Sequence, residues 1–316
     1  MPARKTIAVV GATGAQGGGL ARAILADRNS DFAVRAITRD ANSDKAKALR
    51  GLGAEMVEAD VDDVASLTRA FEGAYGAFCV TFFWSHFSPE KELQTATNMA
   101  TAAKAAGLTH VVWSTLEDTR KFVPLTDDRM PTLQGKYKVP HFDAKGEADH
   151  VFTDLGVPTT FLYASFYWDN FIHFGSGPKK GPDGQLALTL PIGTAKMAGV
   201  ASEDIGKVAY GIFKKGTVMV GKKVGVAGEL LTGSEIAASM SDAIGKPVRF
   251  NDVPPEVYRS FGFPGADDLG NMFQFYRDFE GACNDMRDVQ RAKAFAPDIQ
   301  SFGRWLEKNA EKIPLE

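Results

Sequence analysis

Thiols are almost missing from this chain. Cys79 and Cys283 are the two cysteines in 316 residues. They stand in unrelated segments, so neither a CxxC redox pair nor a disulfide framework can be drawn, and a reducing, cytoplasmic setting is the expectation. Histidine is also sparse: His86, His110, His141, His150 and His173 show no ligand spacing and no thiol partner, which argues against a metal site. No GxSxG elbow is present, so a serine nucleophile of that type is excluded. Charge of one sign does not accumulate. The 36 Lys and Arg nearly balance 39 Asp and Glu, leaving a net charge of -3. Such a chain offers no field for direct contact with a nucleic-acid backbone or an anionic membrane surface. Long apolar runs are absent too: Met1 to Thr6 leads into a strand of four residues, too short for a signal-peptide core or a bilayer span.

What remains is an ordinary folded composition, 44% hydrophobic and 24% charged, with length enough for roughly two domains. Short apolar runs alternate with amphipathic stretches over the first two thirds, the pattern of a parallel sheet with helices on both faces. Six strands are predicted: Ile7–Val10, Phe32–Thr38, Met56–Ala59, Ala77–Thr81, His110–Ser114 and Thr159–Tyr163. Helical spacing falls at Gln16–Ala26, Ala41–Leu52, Pro89–Ala106 and His141–Leu155. Gly53, Gly107 and Gly156 follow three of these helices as C-caps. After Tyr163 the pattern breaks into an aromatic-rich segment. The fold expected is therefore α/β: a doubly wound parallel Rossmann sheet over residues 1–165, and a smaller, partly interleaved α+β domain over 166–316. Residues 202–227 carry a helix and a strand, Val224–Ala227, that returns to the first sheet. The segment from Thr119 to Pro140 is polar and aperiodic, a long loop on the ligand side.

Gly11-Ala12-Thr13-Gly14-Ala15-Gln16-Gly17 closes the first strand and opens the first helix, the context in which a glycine pattern becomes specific for a dinucleotide. Gly11 permits the turn, Gly14 the approach of a pyrophosphate and Gly17 close helix packing, while the helix N-terminus presents free N–H groups. The second strand ends in Thr38-Arg39-Asp40. NAD sites commonly carry an acid there, whereas a guanidinium suits a 2'-phosphate, so NADP(H) is preferred over NAD(H). Arg39 can alternatively be a solvated charge beside Asp40, which would then supply the acid. At the third strand's end Asp60 and Val61 face the adenine, and Asp62 or Asp63 caps the next helix. Thr81-Phe82-Phe83-Trp84 ends the fourth strand, as pocket lining or as core.

With His141-Phe142-Asp143-Ala144-Lys145-Gly146-Glu147, Trp168-Asp169-Asn170 and the segment Gly262 to Leu269 with Asn271-Met272-Phe273, the chain resembles the NmrA-like family of atypical short-chain dehydrogenases along nearly its whole length, and within it the HSCARG-type NADPH sensors. The resemblance implies that Gly11 to Gln16 hold the pyrophosphate, Arg39 the 2'-phosphate, Asp60 and Val61 the adenine, and Thr81, Phe82 and Phe83 the middle of the cofactor. Lys145 and the run Tyr167, Trp168, Asp169 and Asn170 would lie near the nicotinamide. Asp40 to Asp44 is poorer in positive charge than the sensors are, and Phe82 stands where they carry a polar residue.

Short-chain dehydrogenases normally place a Tyr four residues before a Lys, stacking both on one helix face so that the phenol moves the proton accompanying hydride transfer. Here the fourth residue before Lys145 is His141. Imidazole is a competent acid, although a neighbouring cation works against its charged form unless a carboxylate offsets it; His141 can equally be a helix-start residue with no chemical role. Tyr137, on the loop before Pro140, offers a second route by moving in on ligand binding. Two functions fit these residues. One is an NADP(H)-binding redox regulator that changes shape or protein partner with occupancy, favoured by the missing Tyr. The other is an NADPH-dependent reductase of quinones or carbonyl compounds, favoured by the apolar cleft of Phe82, Phe83, Trp84, Phe166, Tyr167 and Trp168.

Overall fold

A computed structural model describes residues 3–181 and 183–315. Seven parallel strands form the central sheet: β1 (Lys5–Val10), β2 (Phe32–Thr38), β3 (Glu55–Glu58), β4 (Gly76–Cys79), β5 (His110–Thr115) and β6 (Thr159–Tyr163), joined by a late strand, Lys223–Gly225, that pairs in parallel with β6. The helices between them are α1 (Ala15–Ala26), α2 (Asp44–Gly51), α3 (Val64–Phe71), α4 (Pro89–Ala105) and α5 (Pro140–Asp154). From one edge the order is β3, β2, β1, β4, β5, β6 and then the late strand. The chain reverses its winding between β1 and β4, and sheets of this kind bind ligands in the crevice beyond the strand ends at such a point.

Side-chain alternation explains why both faces are covered. Ile7, Val9, Phe78, Val112 and Leu162 enter one core, while Ala8, Val10, Ala77, Cys79, Val111, Trp113 and Phe161 enter the other. The first core is the larger and continues into the C-terminal part. There β7 (Phe166–Tyr167), α6 (Asn170–His173), β8 (Lys179–Lys180), β9 (Leu186–Leu190), β10 (Met197–Val200), α7 (Ser202–Lys215), the late sheet strand β11, β12 (Glu229–Leu231), α8 (Gly233–Ile244) and β13 (Val248–Asp252) follow in turn. They make two small mixed sheets, β12-β10-β7 and β13-β9-β8. Two further helices matter for the site, α9 (Pro255–Arg259) and α10 (Ala266–Asp278).

α7 crosses α1 at contact distance because both helices carry glycine at the crossing. A Cβ on Gly206 would lie 2.0 Å from the Leu20 amide, and one on Gly19 would lie 2.3 Å from the Glu203 carbonyl. Gly53, Gly107 and Gly156 have φ of 103°, 66° and 64°, the left-handed helix ends expected of them. Several boundaries move by one to three residues, two of them for reasons the side chains show. α2 begins at Asp44 rather than Ala41, because Ser43 caps it by accepting the Ala46 N–H. β4 stops at Cys79, since Thr81 turns into a side-chain network described below. Asp63, not Asp62, caps α3; Asp62 pairs with Lys91 at 2.6 Å.

Candidate functional site

The glycine loop sits at the switch point. Gly11 has φ of 64°, and a Cβ on Gly17 would lie 2.5 Å from the Gly11 carbonyl oxygen, so the first turn of α1 presses on the end of β1. α1 follows Gly14 as its N-cap residue, with no side-chain cap and no acid in its first turn, leaving its N-terminal N–H groups open to an anion. Gln16 donates from Nε2 to the Tyr167 hydroxyl at 2.5 Å, while its buried Oε1 has no hydrogen-bond partner among the described residues. Burial pushes the Tyr167 phenol up to about 12. Ala12 is buried, and Thr13 and Ala15 line the turn. A loop with free amides and an orphaned buried carbonyl fits a diphosphate carrying further polar groups.

Arg39 is exposed beyond β2 and forms no ion pair among the described residues. Beside it, Asp40 Oδ1 accepts the Asn42 N–H at 2.8 Å inside its own turn. Asp60 folds back in the same way on the Asp62 N–H, and the Val61 carbonyl accepts from Asn98 Nδ2 at 3.0 Å, which fixes the backbone at the third strand's end.

The densest chemistry lies between the ends of β4 and α5. Lys145 is buried on α5, with Nζ donating to Thr81 Oγ1 at 2.5 Å and pairing with Glu92 Oε1 at 3.0 Å. Thr81 in turn donates its hydroxyl to Glu92. The Lys145 ammonium also lies 5.2 Å from the centre of the Trp113 ring. One turn earlier on the same helix, His141 Nδ1 meets Asp268 Oδ1 at 2.5 Å, and the His141 backbone N–H donates to Asp268 Oδ2 at 3.1 Å. Among the described residues His141 Nε2 has no hydrogen-bond partner. Trp84 and Phe83 pack on the imidazole with ring centres 4.8 Å and 5.9 Å away. The residue spacing that put His141 and Lys145 on one helix face holds, and the structure supplies a carboxylate that the spacing could not.

Asp268 opens α10, where an acid is favoured at a helix N-terminus. The rest of that helix's polar face reads the backbone of the loop before α5. Asn271 Nδ2 donates to the Pro131 and Lys138 carbonyls, and Gln274 Nε2 donates to the Arg129 carbonyl at 2.7 Å. From the other side Asp143, fully buried, accepts the backbone N–H groups of Thr119, Lys138 and Val139 together with the Thr119 hydroxyl. Burial raises its pKa against the pull of these donors. The fully buried Lys138 ammonium donates to the Asp127 and Met130 carbonyls, each at 2.7 Å. The loop is thus pinned by buried polar groups, Lys138 of its own and Asp143, Asn271 and Gln274 of the helices beside it.

Tyr137 belongs to that pinned loop. Its ring is buried beneath the Arg120 and Lys136 cations, 5.3 Å and 5.2 Å from them, a packing that a movement toward Lys145 would have to break. Burial raises its pKa further from neutrality. Phe83 is buried at the site, whereas Phe82 is 57% exposed. Within the run Tyr167 to Asn170 the side chains divide. Tyr167 reaches the glycine loop; Trp168 is buried against Phe302 and Trp305; Asp169 accepts the Ser202 N–H at 2.8 Å; Asn170 starts α6. The Trp168 ring is thus core. Among the described residues no group of three or more His, Cys, Asp or Glu could hold a metal ion, and no helix is long and apolar enough to cross a membrane.

A model of the NmrA-like family matches residues 3–306. The NmrA-like family domain-containing oxidoreductase FrzB of Cladobotryum sp. is 29% identical over 290 residues, which cover 85% of this chain and 83% of that protein. The crystal structure of NmrA, a negative transcriptional regulator, in complex with NADP superposes with a TM-score of 0.77 at 23% identity, covering 97% and 95% of the two chains. That of Citrobacter sp. triphenylmethane reductase complexed with NADP(H) gives 0.73 at 18% identity, covering 96% and 99%. At these identities the two structures bear on fold.

Proposed function

The chain belongs to the NmrA-like family, and from that premise we propose that it is an NADP(H)-dependent oxidoreductase that uses His141, held by Asp268, where related enzymes use a tyrosine. The observation that carries the reading is the His141–Asp268 pair standing one helical turn before Lys145 at the crevice of a doubly wound sheet. Support for the cofactor comes from the free amides at the start of α1, the unpaired Arg39 guanidinium and the NADP-bound structures of the two neighbours. Support for catalysis comes from the oxidoreductase name of the curated relative.

NADPH, when bound, supplies a hydride. Everything else falls to side chains of this protein. The α1 N-terminus and Arg39 take the phosphates. Lys145 spends two of its three N–H donors on Thr81 and Glu92 and keeps one for a ribose hydroxyl. Asp268 fixes the imidazole through Nδ1 and supplies the negative charge that offsets a protonated ring, which leaves Nε2–H as the group that gives a proton to the oxygen of a carbonyl or quinone substrate. Trp84 and Phe83 shield that atom from water and offer an apolar wall to the substrate.

A regulatory function is favoured by the missing tyrosine and by one feature of the structure. Phe82, next to Thr81, is more than half exposed, an apolar group suited to a protein partner that senses the occupied site. NADPH oxidation by the purified protein against a panel of quinones and aromatic or aliphatic aldehydes separates the two. Turnover that is lost in both Lys145→Ala and His141→Phe is the expected result. Tight NADPH binding with no turnover on any member of the panel would overturn the enzymatic reading in favour of the regulator.

A further inference from the structure

Glu92 belongs to no sequence motif, yet among the described residues it is the carboxylate that pairs with Lys145. In the first turn of α4 an acid is ordinarily a solvated complement to the helix dipole. This one has no exposed surface, and a buried carboxylate persists only where donors repay its lost hydration. Its Oε1 takes Lys145 Nζ at 3.0 Å and the Thr81 hydroxyl. Its Oε2 has no hydrogen bond among the described residues, and His86 Nε2 stands 3.4 Å away. His86 Nδ1 accepts the Ser88 N–H at 3.1 Å, so the proton of the neutral ring is on Nε2, the nitrogen nearer Glu92. The donors that reach this carboxylate are Lys145 Nζ and the Thr81 hydroxyl, both on Oε1, with His86 standing beside Oε2. The Thr81 hydroxyl, accepting from Lys145 and giving to Glu92, closes a three-membered ring of polar groups in one sense only.

We propose that Glu92 is a positioning residue that pins Lys145 as a preformed clamp for the nicotinamide-side ribose, a role that rests on the NADP(H) reading of the site. Lysine is a flexible point charge, and its freedom is normally lost when a ligand binds. Here Glu92 and Thr81 remove that freedom beforehand and aim the remaining N–H. The effect belongs to the half of the cofactor that meets Lys145. Adenosine 2',5'-bisphosphate, which lacks that half, is indifferent to it.

The test is fluorescence titration of the full-length protein with NADPH and, by competition, with adenosine 2',5'-bisphosphate, in wild type, Glu92→Gln, Glu92→Asp, Lys145→Met and the Glu92→Gln/Lys145→Met double variant. Glu92→Gln is expected to weaken NADPH roughly tenfold, the loss of one charge-assisted contact, with adenosine 2',5'-bisphosphate unchanged and partial recovery in Glu92→Asp. The double variant is expected to bind like Lys145→Met alone, because Glu92 acts through that lysine. Losses that add, or equal losses for both ligands, would overturn the proposal while leaving the cofactor site intact. Unchanged NADPH affinity in Lys145→Met would overturn the site reading and the proposal together. Should Glu92→Gln fail to fold, Glu92→Asp decides: weakened NADPH with retained adenosine 2',5'-bisphosphate supports the role, and unchanged NADPH refutes it.

Discussion

Asp268→Asn separates an imidazole that works because of its carboxylate from one that merely packs beside it. Asp268 accepts two hydrogen bonds from one residue, from the ring at 2.5 Å and from the backbone N–H at 3.1 Å. An amide has one oxygen, so one of these donors must face an NH2 group instead. If the oxygen keeps the ring, the His141 N–H loses its acceptor. If it keeps the backbone, Nδ1 becomes an acceptor. In either arrangement the charge that stabilises an imidazolium is gone. A hydrogen bond to a charged group is worth about 1.5–3 kcal/mol, so kcat/KM is expected to fall about 10- to 150-fold. KM for NADPH should hold, because Lys145 keeps its own partners Thr81 and Glu92. Folding should survive, since Asn271 and Gln274 still latch α10 to the loop. Steady-state NADPH oxidation with the best substrate of the panel, beside a thermal melt, gives both readouts. Wild-type kcat/KM in Asp268→Asn with an inactive His141→Phe would refute the carboxylate's role, and full activity in both would remove His141 from the chemistry.

Three further perturbations test other parts of the structure. Arg39→Ala is expected to weaken NADPH by about 10-fold or more and leave NADH nearly unchanged, the lower end of a charge-assisted contact because the guanidinium is exposed; equal losses in titrations with both cofactors would sink the 2'-phosphate assignment. Arg287 is fully buried, with Nη2 on Glu117 Oε2 at 2.7 Å and Nε on the Ala164 carbonyl at 2.8 Å, so it ties the ends of β5 and β6 to the C-terminal helices. Arg287→Met strands the Glu117 charge and should cost about 3–5 kcal/mol in urea denaturation, most of it recovered when Glu117→Leu is added; a single variant as stable as wild type would mean that the pair is dispensable. Asp149 is raised by burial from the ordinary 3.8 to about 6, against the pull of Thr115, Tyr163 and Trp113. A folded-state value above the unfolded one means that its stabilisation is complete below about pH 4 and is lost as the pH rises through about 6, roughly 3 kcal/mol in all. Asp149→Asn should therefore flatten the fall in stability across that window, and denaturation curves that keep the wild-type slope would refute the assignment.

The division between what the sequence disclosed and what it hid follows from the range of each interaction. β1, β5 and β6 were legible to within two residues, because strands covered on both faces read as unbroken apolar runs. The glycine loop was legible because its meaning lies in adjacent residues, a strand before and a helix after. His141 and Lys145 were legible as a pair because α-helical spacing alone puts them on one face. Asp268 was quoted with its neighbours only as part of a resemblance, and nothing local marks an acid 127 residues away as the partner of His141. Glu92 lies in Pro-Glu-Lys-Glu, a stretch that reads as a solvated helix start. Lys138 misleads in the same direction: it helps to make the segment after Thr119 look wet, yet it is buried and spends its donors on loop backbone, as Asp143 at the start of α5 spends its acceptors. A backbone group without a sheet or helix partner must find one elsewhere. A loop that packs against a site therefore draws polar side chains inward, and composition cannot tell such a loop from one that faces water. Trp168 erred the other way, since an aromatic beside a binding motif is as well used by the neighbouring core, where Phe302 and Trp305 receive it.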